Sequence, residues 1–368
     1  MTQGKVGVIV RADGSPQMGT GHVYRCAALA QALLASTSNC AVVFVTNAPC
    51  KVVAHLGTLG LDVKSVTDLH PSPLDASFVS ELFSQHNHDW VHKRLVLDGY
   101  HFEENYTNLF RNAGVKVFQI DDFNIHPLYA SDFLLNHNAV DGVIHYEVAK
   151  HTVQLIGLNY ALLRQEFWQY IETPCVHAFN DTDIIRVLVT FGGADPVNAT
   201  SVALAALRGV ESSLLARLDI MVIAGAANPH MSTWQLDLEV LTARCHSVRC
   251  VSLVECMADT MGWASFVICA SGGTLWEALF MGCLPCACVI ADNQEPGYVG
   301  FGRHASPHFL GPSLFAIPSR PAAIQQLTSS LEALFSLSKE EQVTNSDKFR
   351  RLVDGKGAMR VAEQLLGP

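Results

Sequence analysis

Gly19-Thr20-Gly21-His22 stands between an apolar run, Val6–Val10, and a stretch whose apolar residues recur at a helical period. Glycines at a strand-to-helix junction let a ligand approach the backbone, and the free N–H groups of the helix's first turn favour anions. An imidazole on that turn, His22, lies at the positive end of the helix dipole. The dipole favours the neutral ring, which is able to take a proton. The plainer alternative is a histidine that packs or caps locally. The loop is not a GxxxxGK[ST] phosphate loop, because no Lys-Ser/Thr pair follows the glycines. It is not GxGxxG either, because the third glycine is missing and Arg25 follows. Asp13, one loop upstream, either orients His22, reaches the same ligand, or builds an Asx turn.

Two further glycine-rich turns follow apolar runs: Phe191-Gly192-Gly193-Ala194-Asp195 and Ser271-Gly272-Gly273-Thr274-x-x-Glu277. A diphosphate on the Ser271–Thr274 amides and a ribose diol on Glu277 fit together physically. The structural alternative is a capping box formed by Thr274 and Glu277. Asp292-Asn293-Gln294-Glu295 is polar enough to line a cleft, and a plain loop is equally allowed. Cys283-x-x-Cys286-x-Cys288 reads as a buried strand beginning after Pro285, since no second Cys/His pair stands nearby at zinc spacing. His86-x-His88 has polar, turn-like neighbours and reads as a solvated loop. Neither a metal nor a cofactor is expected.

These residues need elements to position them. Short apolar runs alternate with amphipathic segments, the βαβ pattern of an α/β protein with parallel sheets. Strands are predicted at Val6–Val10, Ala41–Thr46, Val63–Val66, Leu95–Asp98, Val115–Ile120 and Phe133–Asn136, then at Ile184–Thr190, Ile220–Ala224, Val248–Val251, Phe266–Ala270 and Pro285–Ile290. Val23, Cys26, Ala27, Ala30, Leu33 and Leu34 give the first helix one apolar face. Other helices read at 75–86, 103–112, 198–209, 230–243, 255–261 and 274–281. The pattern breaks near 172–183, which divides the chain into a domain over 1–172, a linker over 173–183 and a domain over 184–345. A C-terminal segment, 346–368, carries a last amphipathic stretch, Gly357–Leu366, able to pack back on the first domain. Open parallel sheets bind ligands at their strands' carboxyl ends. Two such sheets facing across a cleft are the expected architecture, with the site in that cleft.

The 368 residues suit about two domains. A hydrophobic share of 49% against 16% charged points to strands buried on both faces. With 24 Lys+Arg against 34 Asp+Glu, the net charge of −10 argues against nucleic acid and anionic membrane as partners. It still permits a phosphate-bearing small molecule held by backbone N–H groups. No signal peptide and no uninterrupted span of about 20 apolar residues is visible. Eleven scattered cysteines fit reduced thiols, so a cytoplasmic location is expected.

Arg11-x-Asp13-x-Ser15-x-x-Met18-Gly19-x-Gly21-His22-Val23-x-Arg25-Cys26 resembles the opening motif of the UDP-2,4-diacetamido-2,4,6-trideoxy-β-L-altropyranose hydrolases of pseudaminic acid biosynthesis, relatives of spore-coat polysaccharide proteins. Similar matches run along the chain: Asp98-Gly99-Tyr100, Asp121-Asp122, Leu135-Asn136, Gly157-x-x-Tyr160-x-Leu162-Leu163-Arg164-x-x-Phe167 and Phe191-Gly192-Gly193-x-Asp195. They continue through Ala270-Ser271-Gly272-Gly273-Thr274-x-Trp276-Glu277, Asp292-Asn293-Gln294 and Asp354-Gly355-x-Gly357-Ala358.

The resemblance implies a GT-B architecture of two Rossmann-like domains, with UDP mainly on the second and the sugar facing the first. It implies that His22 activates water to attack the anomeric carbon, releasing UDP and free sugar with inversion, without a metal. Tyr100 and Asn293 match sugar-side positions; Gly193, Ser271, Gly272, Thr274 and Glu277 match the UDP side. Gly19, Gly21, Arg25, Gly192 and Gln294 complete the expected substrate-binding set, with Asp13 beside His22 as a catalytic candidate. The chain exceeds compact relatives around 82–94 and beyond 330, where Pro318 and Pro321 flank a turn into a helical stretch. The remaining partners it suggests are neighbouring enzymes of the pathway. Competing readings are a GT-B glycosyltransferase using a UDP-sugar, a UDP-sugar 2-epimerase, and a non-catalytic nucleotide-sugar binding protein.

Overall fold

The computed structural model describes residues 5–15, 19–173, 175, 183–225, 228–252, 254–315 and 319–367. Met18, Pro318 and most of the expected linker lie outside the described residues. In chain order the elements are β1 (Lys5–Ala12), α1 (Gly21–Ser36), β2 (Cys40–Thr46), α2 (Cys50–Thr58), β3 (Asp62–Ser65), α3 (Pro73–Gln85), β4 (Trp90–Asp98), α4 (Glu104–Asn112), β5 (Lys116–Ile120), β6 (Phe133–Asn136) and β7 (Val153–Ile156). There follow β8 (Ile185–Thr190), α5 (Ala199–Gly209), α6 (Ser212–Leu215), β9 (Leu218–Ile223), α7 (Gln235–Arg244), β10 (Ser247–Val251), α8 (Met257–Trp263), β11 (Phe266–Ala270), α9 (Gly273–Met281) and β12 (Leu284–Val289). The last are α10 (Glu295–Gly302), β13 (Leu310–Ser313), α11 (Arg320–Phe335), α12 (Lys339–Arg350) and α13 (Gly357–Leu366).

Two compact units result: unit 1 is Met1–Gln165 with Lys356–Pro368, and unit 2 is Glu166–Gly355. The divisions therefore fall at 165/166 and 355/356, several residues from the boundaries at 172 and 346 that the sequence suggested.

Unit 1 is built on a seven-stranded sheet in the order β3-β2-β1-β4-β5-β6-β7, every pair parallel. Its central strands are apolar on both faces because helices cover both, as parallel crossovers require. One cluster packs Ile9, Leu95 and Leu97 against Val79, Leu82 and Phe83 of α3 and Tyr106 and Phe110 of α4. Gly7 makes room for Trp90: a Cβ there would lie 1.8 Å from the indole. The helix α13 packs on α1, burying Ala358, Val361, Ala362 and Leu365. Its last carbonyls lack helical partners. Arg94 of β4 supplies them, donating to Leu365 O at 2.9 Å and Gly367 O at 2.8 Å. On α1, Leu34 departs from the expected apolar face and is exposed.

Unit 2 repeats the scheme with six parallel strands, β10-β9-β8-β11-β12-β13. All of β12 is buried, which accounts for Cys286 and Cys288, whose thiols burial pushes upward. In both sheets the strand order reverses beside the first strand, between β1 and β4 and between β8 and β11. Ligands enter open α/β sheets at such a switch point. Every loop singled out in the sequence leaves one of these strands or its neighbours.

Candidate functional site

In unit 1 the register Ala12↔Asp98 brings the carboxyl ends of β1 and β4 side by side. The loop after β1 closes on itself by paired backbone bonds, Ser15 N–H to Gly19 O (3.2 Å) and Gly19 N–H to Ser15 O (2.7 Å). Gly19 takes a left-handed φ of 79°, which a glycine adopts freely. Thr20 is the N-cap of α1, its side chain makes no capping bond, and the first turn has no acidic residue. Nothing lies within 4 Å of where a Gly21 Cβ would sit, so the backbone there faces open space.

His22, only 6% exposed, follows immediately, and its Nδ1 lies 2.6 Å from Asp98 Oδ1. Burial alone would raise the Asp98 carboxyl, but Arg25 and His22 overcome it and hold it well below the usual carboxylate range. An ionised carboxylate only accepts, so the shared hydrogen belongs to Nδ1 and donates to Asp98. In the neutral ring the lone pair is then on Nε2.

Arg25, one turn further along α1, spreads its guanidinium over two carboxylates. Nε and Nη2 donate to Asp98, each at 2.7 Å, and Nη1 donates to Asp122 at 2.7 Å. Asp122 also accepts from Tyr100 Oη (2.5 Å) and Asn138 Nδ2 (2.8 Å). Against the cost of burial, Arg25 holds Asp122 well below its ordinary range. The Tyr100 phenol is driven far upward by burial and by Asp122, so it remains a donor; its ring stands edge-on to His22 at 5.0 Å. Burial, then the Arg25 charge, push His137 down to about 4, which keeps that ring neutral at pH 7. One cation and two carboxylates leave this buried cluster with an excess negative charge.

The expected site residues therefore take different parts. His22 and Tyr100 come together. Arg25, expected to bind substrate, spends its fork on carboxylates inside the protein. Asp13 does not orient His22: its contacts are Arg11, the Asn47 N–H (3.1 Å) and His101 (3.3 Å). The carboxylate on His22 is Asp98, which sequence reasoning placed in a motif without giving it this role. Asp122 and His137 were likewise missed as neighbours of Arg25, and Asn138 as a partner of Asp122. Their signal was position: Asp98 ends β4 and Asp121-Asp122 follow β5, at the sheet's carboxyl edge, where open parallel sheets take ligands.

In unit 2 the corresponding loops carry backbone rather than charge. Gly192 has φ 81° and open space where a Cβ would sit. Asp195, 1% exposed, fastens the loop to α5 by accepting from the N–H groups of Ala199 (2.7 Å) and Thr200 (3.0 Å). A Cβ on Gly225 would lie 2.3 Å from Gly193 O, so those two backbones pack directly. After β11, Ser271 N–H donates to Cys288 O at 2.8 Å, and Gly272 is the N-cap of α9 without a side-chain cap. With the cap two residues before Thr274, the Thr274–Glu277 capping box does not form. Ser271 is 1% exposed and its hydroxyl has no hydrogen-bond partner. The uncapped helix N-terminus beside it suits an anion. Glu277 is buried on α9. Gln294 Oε1 accepts from Ile290 N–H (3.1 Å), and its amide approaches Gly272, while Asn293 N–H donates to Asp292 (2.8 Å). Among the described residues, no cluster of three or more His, Cys, Asp or Glu has the arrangement of a metal site. Nor is any helix among them long and apolar enough to cross a membrane.

No family model matches the chain. It is 23% identical over 281 residues to an uncharacterized protein of Methanocaldococcus jannaschii, a stretch covering 76% of this chain but only 54%, about half, of that protein. It is 25% identical over 359 residues, 95% of each chain, to the spore coat polysaccharide biosynthesis protein SpsG of Bacillus subtilis. Among solved structures, MurG of Acinetobacter baumannii superposes with a TM-score of 0.60 at 14% identity, covering 98% of this chain and 99% of that one. The S. aureus MnaA–UDP co-structure gives 0.61 at 11% identity, covering 98% and 96%. The chain thus has the GT-B fold of two parallel-sheet Rossmann-like units and is distantly related to the spore coat protein SpsG.

Proposed function

We propose that the protein hydrolyses a UDP-linked 2,4-diacetamido-2,4,6-trideoxy sugar to UDP and the free sugar, as in pseudaminic acid biosynthesis. The observation that carries this is the pair of His22, on the first turn of α1, with Asp98 at the end of β4: the carboxylate fixes Nδ1–H and leaves Nε2 for a proton. Water oxygen attacks the anomeric carbon while its proton passes to Nε2. The bond from that carbon to the diphosphate oxygen breaks, and UDP leaves with the electron pair. Asp98 and the cluster's excess negative charge stabilise the imidazolium as it forms, as a buried aspartate does in other His-dependent hydrolases. Base catalysis of this kind contributes roughly 10²–10⁴-fold.

The UDP assignment is supported by three features of unit 2. Its helix N-termini carry no side-chain cap where Gly272 begins α9, the Ser271 hydroxyl lacks a partner, and Glu277 lies a turn into the same helix. N–H groups so placed stabilise charge building on the leaving diphosphate. The MnaA co-structure supports UDP as the nucleotide by fold alone.

The test is to incubate pure protein with a panel of UDP-2,4-diacetamido sugars and no acceptor, following products by proton NMR. UDP plus free sugar with inverted anomeric configuration supports the proposal. An altered UDP-sugar indicates an epimerase. Unchanged substrate across the panel indicates a glycosyltransferase or a binding protein.

A further inference from the structure

Asp98 is wholly buried at the end of β4, and among the described residues its side-chain donors all come from α1. Oδ1 accepts from His22 Nδ1 (2.6 Å) and Arg25 Nη2 (2.7 Å). Oδ2 accepts from Arg25 Nε (2.7 Å) and from the Cys26 thiol, whose Sγ lies 3.3 Å away. Residues 22, 25 and 26 are spaced i, i+3 and i+4, so one helix face presents all three side chains to a single strand end. A carboxylate has about four lone-pair sites, and these donors fill them.

The thiol is the member of this set that packing alone does not ask for. By periodicity Cys26 belongs to the apolar face of α1, where a small apolar side chain suffices. It is wholly buried, and burial together with the Asp98 charge pushes its thiol well above the ordinary range. The sulfur therefore keeps its proton and donates. A thiol is a weak donor, and a charged acceptor strengthens its bond. An apolar residue at this position would leave one site on a buried carboxylate unfilled. More of the Asp98 charge would then fall on the bond to His22 Nδ1, favouring the imidazolium over the neutral ring. The other groups facing the pair stay as they are. Arg25 Nη2 lies 3.1 Å from His22 Nδ1, Asp122 after β5 and His137 after β6 contact Arg25, and Tyr100 after β4 stands edge-on to His22.

We propose that Cys26 is a positioning residue for the base: its thiol completes the donor set of Asp98 and so sets how strongly Asp98 holds the His22 Nδ1 proton. This rests on the function proposed above for the role of His22, but its first readout needs no substrate, so the two fail separately. Proton NMR of the free protein follows the downfield Nδ1 proton, assigned by its loss in His22→Asn. It is repeated on Cys26→Ala and Cys26→Val, which lack a donor, and on Cys26→Ser, which keeps one; circular dichroism identifies the variants that fold. The resonance should move further downfield in Cys26→Ala and Cys26→Val, as the bond to Asp98 strengthens, and should return to its wild-type position in Cys26→Ser. With the UDP-sugar, the acid limb of the kcat/KM profile should move up by about half a pH unit in the donorless variants and stay in place in Cys26→Ser. A side chain that merely packs would change the urea midpoint and move neither readout. A resonance unmoved in the donorless variants that fold overturns the proposal, and so does one displaced equally in Cys26→Ser.

Discussion

The two sheets share a strand order and a switch point, yet they furnish their ligand edges in opposite ways. Unit 1 gathers titratable side chains there: His22, Asp98, Asp122 and His137, buried, around the partly buried Arg25. Unit 2 presents Gly192, Gly193, Gly272 and Gly273, with unpartnered hydroxyls on Thr200 and Ser271; its buried carboxylates there are Asp195, held by backbone N–H groups, and Glu277 on α9. Buried charge is costly unless paired, and the proposed function uses it where a proton would move. Backbone N–H groups bind an anion at no desolvation cost of a full charge, so glycines would suffice for the diphosphate of the proposed substrate. A net charge of −10 is therefore compatible with an anionic substrate.

The largest expected effect breaks the unit 1 side of this contrast. His22→Ala should lower kcat by about 10²–10⁴-fold in a UDP-release assay. Arg25→Met should come next, stranding Asp98 and Asp122 without their cation. Losing one partner of a buried pair costs about 3–5 kcal/mol, read as a fall in urea midpoint. Gly225→Ala sharpens the unit 2 side, because its Cβ would overlap Gly193 O at 2.3 Å. Overpacking there should cost about 1–3 kcal/mol and weaken UDP binding by calorimetry. Gly273→Ala meets no atom within 4 Å, so the melting temperature should hold. UDP affinity should still drop about tenfold as the methyl blocks close approach to the amides.

The smallest effect is on acid stability. His137 is held at about 4 when folded, against about 6.5 when unfolded. Between those values the unfolded chain binds more protons, so stability falls as pH drops from about 6.5 towards 4. Asp98 and Asp122, depressed when folded, lose their contribution at still lower pH. His137→Gln should flatten the dependence of urea midpoint on pH between about 6.5 and 5.

Central strands were legible in the sequence because burial on both faces writes a continuous apolar run. The edges were not. β7 is Val153–Ile156 with its first two residues exposed, and β13 is Leu-Gly-Pro-Ser, a composition that a run-based reading passes over. The polar helix α12 was equally silent, its Ser338–Glu341 capping box being a better signal than its periodicity. At the site, the loop and its histidine stood out by local spacing. The His22–Asp98 pair did not, because 76 residues separate its members and only the parallel register of β1 with β4 unites them. Asp13 misled for the converse reason: near in sequence, it points into a different network, with Arg11 and Asp75.

The central claim is that chemistry belongs to unit 1 and nucleotide binding to unit 2. Titrating UDP calorimetrically into wild type and His22→Asn, with turnover of the UDP-sugar measured on the same samples, tests it most directly. The account predicts that turnover collapses while the UDP Kd stays within about twofold. Retained turnover in His22→Asn, or a Kd that rises in step with the loss of kcat, would contradict it.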